Sequence, residues 1–205
     1  MLKAALWLGG IALVVFGVLR LFFMDVVVVG HDGMAPTLLA GDQVFLWRGG
    51  DDAEMGDIVV CQNPQNAGQM VIGRVLGRSN MTVSTDHGQL DVSGTRPSRD
   101  IKQTVDFQSR DFQRPIRVQL SEDTLGNFTH HAFWPDRHPL RLRETQVPVN
   151  HYYLLGDNRT QHGNDSRTFG TVPANTCVGR IFMLVKPTPD PRGNPLERGW
   201  FEILQ

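Results

Sequence analysis

Residues 156–173 read GDNRTQHGNDSRTFGTVP. Two aspartates, Asp157 and Asp165, each stand two residues ahead of an arginine, Arg159 and Arg167. Most of the remaining positions are Gly, Asn, Thr, Ser or Pro, residues that close turns or hydrogen-bond to nearby backbone. Carboxylates beside guanidiniums in such a segment form ion pairs and turn hydrogen bonds. The stretch therefore reads as a structural floor held by its own turns and ion pairs. Its holding residues are Asp157, Asn158, Arg159, Asp165, Ser166 and Arg167, and the two aspartates are structural, not a catalytic acid pair.

Working outward, apolar runs flank this floor at residues 152–155 and 178–185. Similar short runs occur at 26–29, 43–46, 57–61, 70–76, 81–84, 105–107 and 117–120. They are rich in Val, Ile and Phe and are separated by Gly, Asn, Asp and Pro, which is the signature of strands. No soluble segment carries a helical stripe of useful length. The expected fold class is mainly β: twisted antiparallel sheets or a partial barrel. Residues 94–147 are more polar and less regular, and read as an insertion or lid. The Pro-rich tail from residue 186 is expected to wrap the surface.

The amino terminus is different. Residues 5–24, ALWLGGIALVVFGVLRLFFM, contain one charge, Arg20. As a helix the charge-free part, residues 4–19, would span about 24 Å, and residues 21–24 extend it to about the 30 Å of a bilayer core. A cleaved leader is the rival reading, but no small-residue cleavage site follows. The expected organisation is an anchor over residues 1–25 and a β-domain over 26–205. Lys3 favours a cytoplasmic start, with Arg20 arguing the other way.

Composition excludes some classes. The 205 residues carry a formal net charge of -1, so no basic surplus points to nucleic acid. Lys3, Lys102 and Lys186 are the only lysines. Cys61 and Cys177 form neither a CxxC pair nor a metal spacing. Both lie in apolar runs and are expected as buried free thiols, a disulfide being open if the domain lies outside the cytoplasm. His130, His131, His138 and His151 match no metal motif. No metal or cofactor is expected.

Four segments occur in order: GMAPTLLAGD at 33–42, GDIVV at 56–60, IGRVLG at 72–77, and the opening stretch. Together they resemble the sequence boxes of type I signal peptidases. The resemblance implies a membrane-bound serine endopeptidase family. Its β-domain lies on the outer, periplasmic side of the cytoplasmic membrane, where it removes signal peptides. A serine attacks, and a lysine of lowered pKa takes its proton.

The motif carries over residue by residue, and it fails at two positions. Met34, Pro36 and Thr37 match, so the nucleophile position is Gly33. Arg74 and Gly77 match, so the base position is Gly73. Counting back from Asp165, the position of a supporting serine is Gly163. Glycine neither attacks nor accepts a proton. Arg74 cannot act as base, no motif places Lys102 or Lys186 in the cleft, and no motif serine remains for His31 or His162 to activate. Glycines introduced to inactivate an enzyme would leave the altered third and fourth boxes unexplained.

The leading expectation is a signal peptidase-like membrane protein that binds or presents exported peptides without cutting them. Gly33 and Gly73 are expected to face each other across a peptide groove lined by Gly33, Met34, Pro36, Gly73 and Arg74. Its partners would be the membrane and a preprotein, signal-peptide or pilin-like segment, beside a true signal peptidase or assembly complex. Two alternatives stay open: an active peptidase with relocated catalytic groups, and a structural subunit of a membrane complex.

Overall fold

The computed structural model describes residues 7, 9–11, 14, 17, 23–49, 52–112, 114–136, 140–189 and 192–204. Most of the apolar run at 5–24 lies outside them, and so does His138. Among the described residues no helix is long and apolar enough to cross a membrane.

The strands are β1 (Met24–Val28), β2 (Gln43–Arg48), β3 (Ile58–Asn63), β4 (Asn66–Gly77), β5 (Thr82–Asp86), β6 (Gln89–Val92) and β7 (Ser98–Phe107). They continue with β8 (Ile116–Leu125), β9 (Phe128–Pro135), β10 (Thr145–Gln146), β11 (His151–Leu155), β12 (Val172–Pro173), β13 (Cys177–Lys186) and β14 (Glu202–Ile203). An eight-stranded sheet runs β1-β2-β13-β3-β4-β11-β12, with β14 on β13. Two three-stranded sheets, β10-β5-β6 and β7-β8-β9, complete the fold. The sheets are antiparallel and none closes into a barrel.

Alternation decides which face of the large sheet is buried. Val44, Leu46, Ile181 and Leu184 point into one core with Val29, Met34 and Ile72. Their strand neighbours point out. Val26, Val28 and Trp47 are exposed, and Trp47 stacks on Phe23 at 5.7 Å. Phe45 stacks on Phe182 at 6.1 Å on the next pair of strands. Phe201 and Ile203 at the β14 edge are exposed as well.

On the opposite side of β4, Val71 and Val75 join Leu154, Cys61 and Cys177 in a second core. Cys61 and Cys177 are direct cross-strand partners and form a disulfide. The free-thiol expectation is thereby corrected: residues that read as two separate apolar runs are brought opposite each other by the β3–β13 register.

The polar stretch 94–147 is also not irregular. It folds β7, β8 and β9 into a meander whose β7 is largely exposed, while Ser121, Asp123 and His130 of β8 and β9 are buried. Phe107, Val118, Leu120 and Phe133 pack on Ala35 and Leu39. Leu125, Ala132 and Trp134 pack on Leu76 and Val83. The meander thus presses Phe133 against the turn carrying Gly33, and Phe133 bridges to Asn158.

Candidate functional site

The site lies where the turn 32–34, β4 and the loop 156–167 meet. Its firmest element is an ion pair. Arg74 donates from Nε to Asp157 Oδ1 at 2.9 Å and from Nη2 to Oδ2 at 2.7 Å. Both side chains are fully buried. Arg74 Nη1 donates to the Gly56 carbonyl at 2.6 Å, and Thr37 Oγ1 donates to Asp157 Oδ2 at 2.6 Å. Burial alone would raise the Asp157 pKa, but the Arg74 charge and its hydrogen bonds outweigh it and hold the group at about 2. Arg74 is therefore the ion partner of the floor, and it also lines a cavity of about 410 Å³ with Thr37 and His130.

Arg159, expected beside Asp157 as its ion partner, turns elsewhere. Its Nη2 donates to His130 Nε2 at 3.0 Å, and its Nε and Nη1 have no partner. Burial lowers its pKa to about 10, which leaves it charged at neutral pH. Burial also pushes His130 down to about 3, against the pull of Asp157. His130 is thus a neutral acceptor.

The second acid holds the loop. Asp165 caps the short helix Ser166–Phe169 through the Arg167 N–H, pairs with the Arg167 guanidinium at 2.6 Å, and accepts from Gly156 N at 3.1 Å. Ser166 Oγ accepts from Leu154 N at 2.8 Å. Asn158 ties the loop to the turn: its N–H donates to the Gly33 carbonyl at 3.0 Å and its Nδ2 to the Asp32 carbonyl at 3.2 Å.

At the centre, Gly33 is closed over. The His31 Nδ1 accepts the Gly33 N–H at 3.0 Å. A Cβ on Gly33 would lie 2.8 Å from His31 Nδ1 and 2.9 Å from Cε1, so the imidazole fills the side-chain space. Burial lowers the His31 pKa, with Asp111, Asp32 and Asp165 opposing. Its Nε2 is buried without a partner. What remains is a cavity of about 10 Å³ lined by His31, Gly33, Ile72, Gly156, Gln161 and Asp165, among others. That is at the lower limit for one water.

Gly73 does not face this cavity. Successive residues of a strand point to opposite sides, and Ile72 takes the side toward Gly33. A Cβ on Gly73 would meet Leu154 Cβ at 2.9 Å, in the disulfide core. Met34, Pro36, Gly33, Gly73 and Arg74 are all buried. The expected facing of Gly33 and Gly73 is corrected: the two glycines point to opposite sides of β4, while Gly33 lines the small cavity and Arg74 a separate one of about 410 Å³. Gly163 sits on an exposed turn with φ of 114° and nothing near its Cβ position.

Sequence reasoning passed over the group that anchors the turn. Asp32 is buried and accepts from Arg192 Nη1 at 2.6 Å and Nη2 at 2.8 Å, from Ala40 N at 2.8 Å and from Arg110 N at 2.7 Å. Burial opposes its ionisation, and the Arg192 pair still lowers its pKa. Ser109 Oγ donates to Asp32 Oδ2 at 3.1 Å and accepts from Gln161 Nε2 at 2.6 Å. Gln161 also reaches Asp111 at 2.8 Å. Ser109, Asp111 and Arg192 come from the insertion and the tail, which carry no motif.

The family model described as "Signal peptidase, peptidase S26" matches residues 2–186. The chain belongs to this family. Signal peptidase I of Pseudomonas aeruginosa is 26% identical to it over 206 residues, covering 85% of this chain and 69% of that one. Signal peptidase I of Bacillus caldolyticus is 28% identical, covering 85% and 86%. Mitochondrial inner membrane protease subunit 1 of Homo sapiens is 27% identical, covering 80% and 71%. A solved signal peptidase I from Enterococcus faecalis aligns with a TM-score of 0.41 at 23% identity, over 63% of this chain and 96% of that chain.

Within this signal peptidase-family chain, a substitute for the dyad would need a hydroxyl hydrogen-bonded to a basic side chain. Among the described residues no Ser or Thr hydroxyl bonds to a lysine or histidine. Ser109, the hydroxyl that reaches Gln161 beside the small cavity, donates toward carboxylates. Lys102 pairs with Asp100 and Glu122 on the surface, and Lys186 lies over Trp200. No group of three or more His, Cys, Asp or Glu among the described residues has the arrangement of a metal site.

Proposed function

We propose that this signal peptidase-family chain is non-catalytic, and that it holds an extended segment of an exported protein without cutting it. The observation that carries the first half is the His31 imidazole lying in the side-chain space of Gly33. A nucleophile at that position has neither an atom nor room, and the basic nitrogen beside it, His31 Nδ1, is occupied by the Gly33 N–H.

Open sheet edges support the second half. Among the described residues β1 pairs only with β2, and the exposed residues 66–70 of β4 have only β3 beside them, because β11 takes the second edge of β4 from Arg74 onward. An extended peptide binds such edges by strand addition, which uses backbone groups and needs no nucleophile. The placement proposed is the outer side of a membrane. The Cys61–Cys177 disulfide fits an oxidising compartment. The exposed Val26, Val28, Trp47, Phe201 and Ile203 offer an apolar surface beside the amino-terminal run.

The test pairs two measurements on the full chain in detergent. Preprotein turnover should match a protein-free blank, where an active signal peptidase cuts. Turnover that vanishes in His31→Ala or Ser109→Ala would restore the enzyme reading. Signal-peptide titration should shift amide resonances of β1 and residues 66–70. Shifts confined elsewhere, or none, would leave a structural subunit.

A further inference from the structure

A second cavity, of about 690 Å³, opens between the start of β8, the end of β9 and residues 160–162. It shares no lining residue with the small cavity at Gly33. Its size is that of a small-molecule pocket. Arg117, Arg141, Arg159 and His162 line it, against Asp136 as the acid. Among the described lining residues, three arginines against one aspartate leave a local charge of +2 with His162 neutral. Asp106 is the cross-strand partner of Arg117, on the same face of the sheet, and offsets part of this.

Arg159 adds a buried, under-satisfied cation to this wall, its guanidinium 5.5 Å from the Trp134 ring. It is 1% exposed, and its Nε and Nη1 have no hydrogen-bond partner. Among the described residues no carboxylate lies within ion-pair distance of it. Buried guanidinium nitrogens are ordinarily satisfied. Arg117 and Arg141 are exposed and flexible, suited to closing on a charge that arrives from solvent. Beside these groups Ile116 and Leu140 give the wall an apolar half.

We infer that this pocket binds a small organic anion, a carboxylate or phosphate carried on an apolar body. The guanidiniums take the anion by paired N–H···O bonds, and Ile116 and Leu140 take the apolar part. Nothing in the Gly33 site is required, so the pocket acts whether or not a peptide is held on the sheet edges.

Calorimetry on the full chain in non-ionic detergent tests this with phenyl phosphate, benzoate, inorganic phosphate and benzyl alcohol, each against empty micelles. Phenyl phosphate or benzoate should bind saturably, more weakly as salt is added. Which of the two is tighter identifies the anion. Arg117→Ala and Arg141→Ala together should weaken binding at least about tenfold, the loss of one charge-assisted hydrogen bond. The amide resonances of His31 and Gly33 should not move. Inorganic phosphate and benzyl alcohol should bind far more weakly, each lacking one half. Arg159→Gln should also weaken binding, and the exposed pair keeps the test valid if that variant does not fold. Absent binding of both aromatic anions, or an unchanged affinity in the double variant, would overturn the pocket. Equal affinity for inorganic phosphate would overturn its apolar half.

Discussion

His31 Nδ1 accepts the Gly33 N–H, and the same ring blocks any side chain at Gly33. Leu154 blocks Gly73 in a different manner, because the atom in the way is a Cβ fixed to the backbone of β11. The two glycines should therefore respond differently to an added methyl. Gly33→Ala displaces the His31 ring and with it the Gly33 N–H···Nδ1 bond, and should cost about 1 kcal/mol. Gly73→Ala overpacks a strand pair and should cost about 1–3 kcal/mol. Urea unfolding of both variants checks the order, and a reversed order would mean that the His31 ring is not free to move.

The Arg74–Asp157 pair should behave as a buried bidentate pair. Arg74→Ala strands an anion in the core and should cost about 3–5 kcal/mol. Arg74→Lys should not recover it, since an ammonium cannot satisfy both carboxylate oxygens and the Gly56 carbonyl in the same plane. Thermal melts measure both. A Lys variant as stable as wild type would show that only charge matters there.

Acid should weaken the fold in two steps. His130 is held neutral down to about pH 3, whereas in the unfolded chain it takes a proton near 6.5. The unfolded state therefore binds more protons between those values, and stability falls as pH is lowered through that window. Asp157 acts lower: its stabilisation is present above its ordinary pKa of 3.8 and is lost toward about 2. His130→Gln should flatten the pH 6.5–3 portion of the stability curve and leave the lower limb. Equal slopes in the two proteins would assign the acid sensitivity elsewhere.

Opening the disulfide releases a loop of sequence separation 116. Chain entropy alone puts the loss at about 4–5 kcal/mol. The double variant Cys61→Ala, Cys177→Ala should melt well below wild type, and dithiothreitol should lower the wild-type melt but not that of the variant. A reductant effect on both would point away from the disulfide.

Much of this was legible in the residues, for identifiable reasons. Short Val- and Ile-rich runs gave nine of the strands, and the boxes gave the Asp157, Asp165 and Arg167 floor because their turn chemistry is local. β9 was missed because FTHHAFWP mixes histidines into a strand buried by its neighbours. The facing of Gly73 was missed because it depends on which side of β4 Leu154 approaches. Asp32 was passed over because its partner Arg192 is 160 residues away and carries no local sign.

That distance has a consequence for biogenesis. The turn bearing Gly33 is anchored by Asp32, and Asp32 is neutralised by an arginine near the end of the chain. Until residue 192 has been synthesised and, on an outward-facing domain, delivered across the membrane, the carboxylate has no counter-ion to bury against. The centre thus forms among the last parts of the molecule, after the local hairpins. A chain stopped short of the tail would contain every sequence box of its family and still lack a set turn at Gly33.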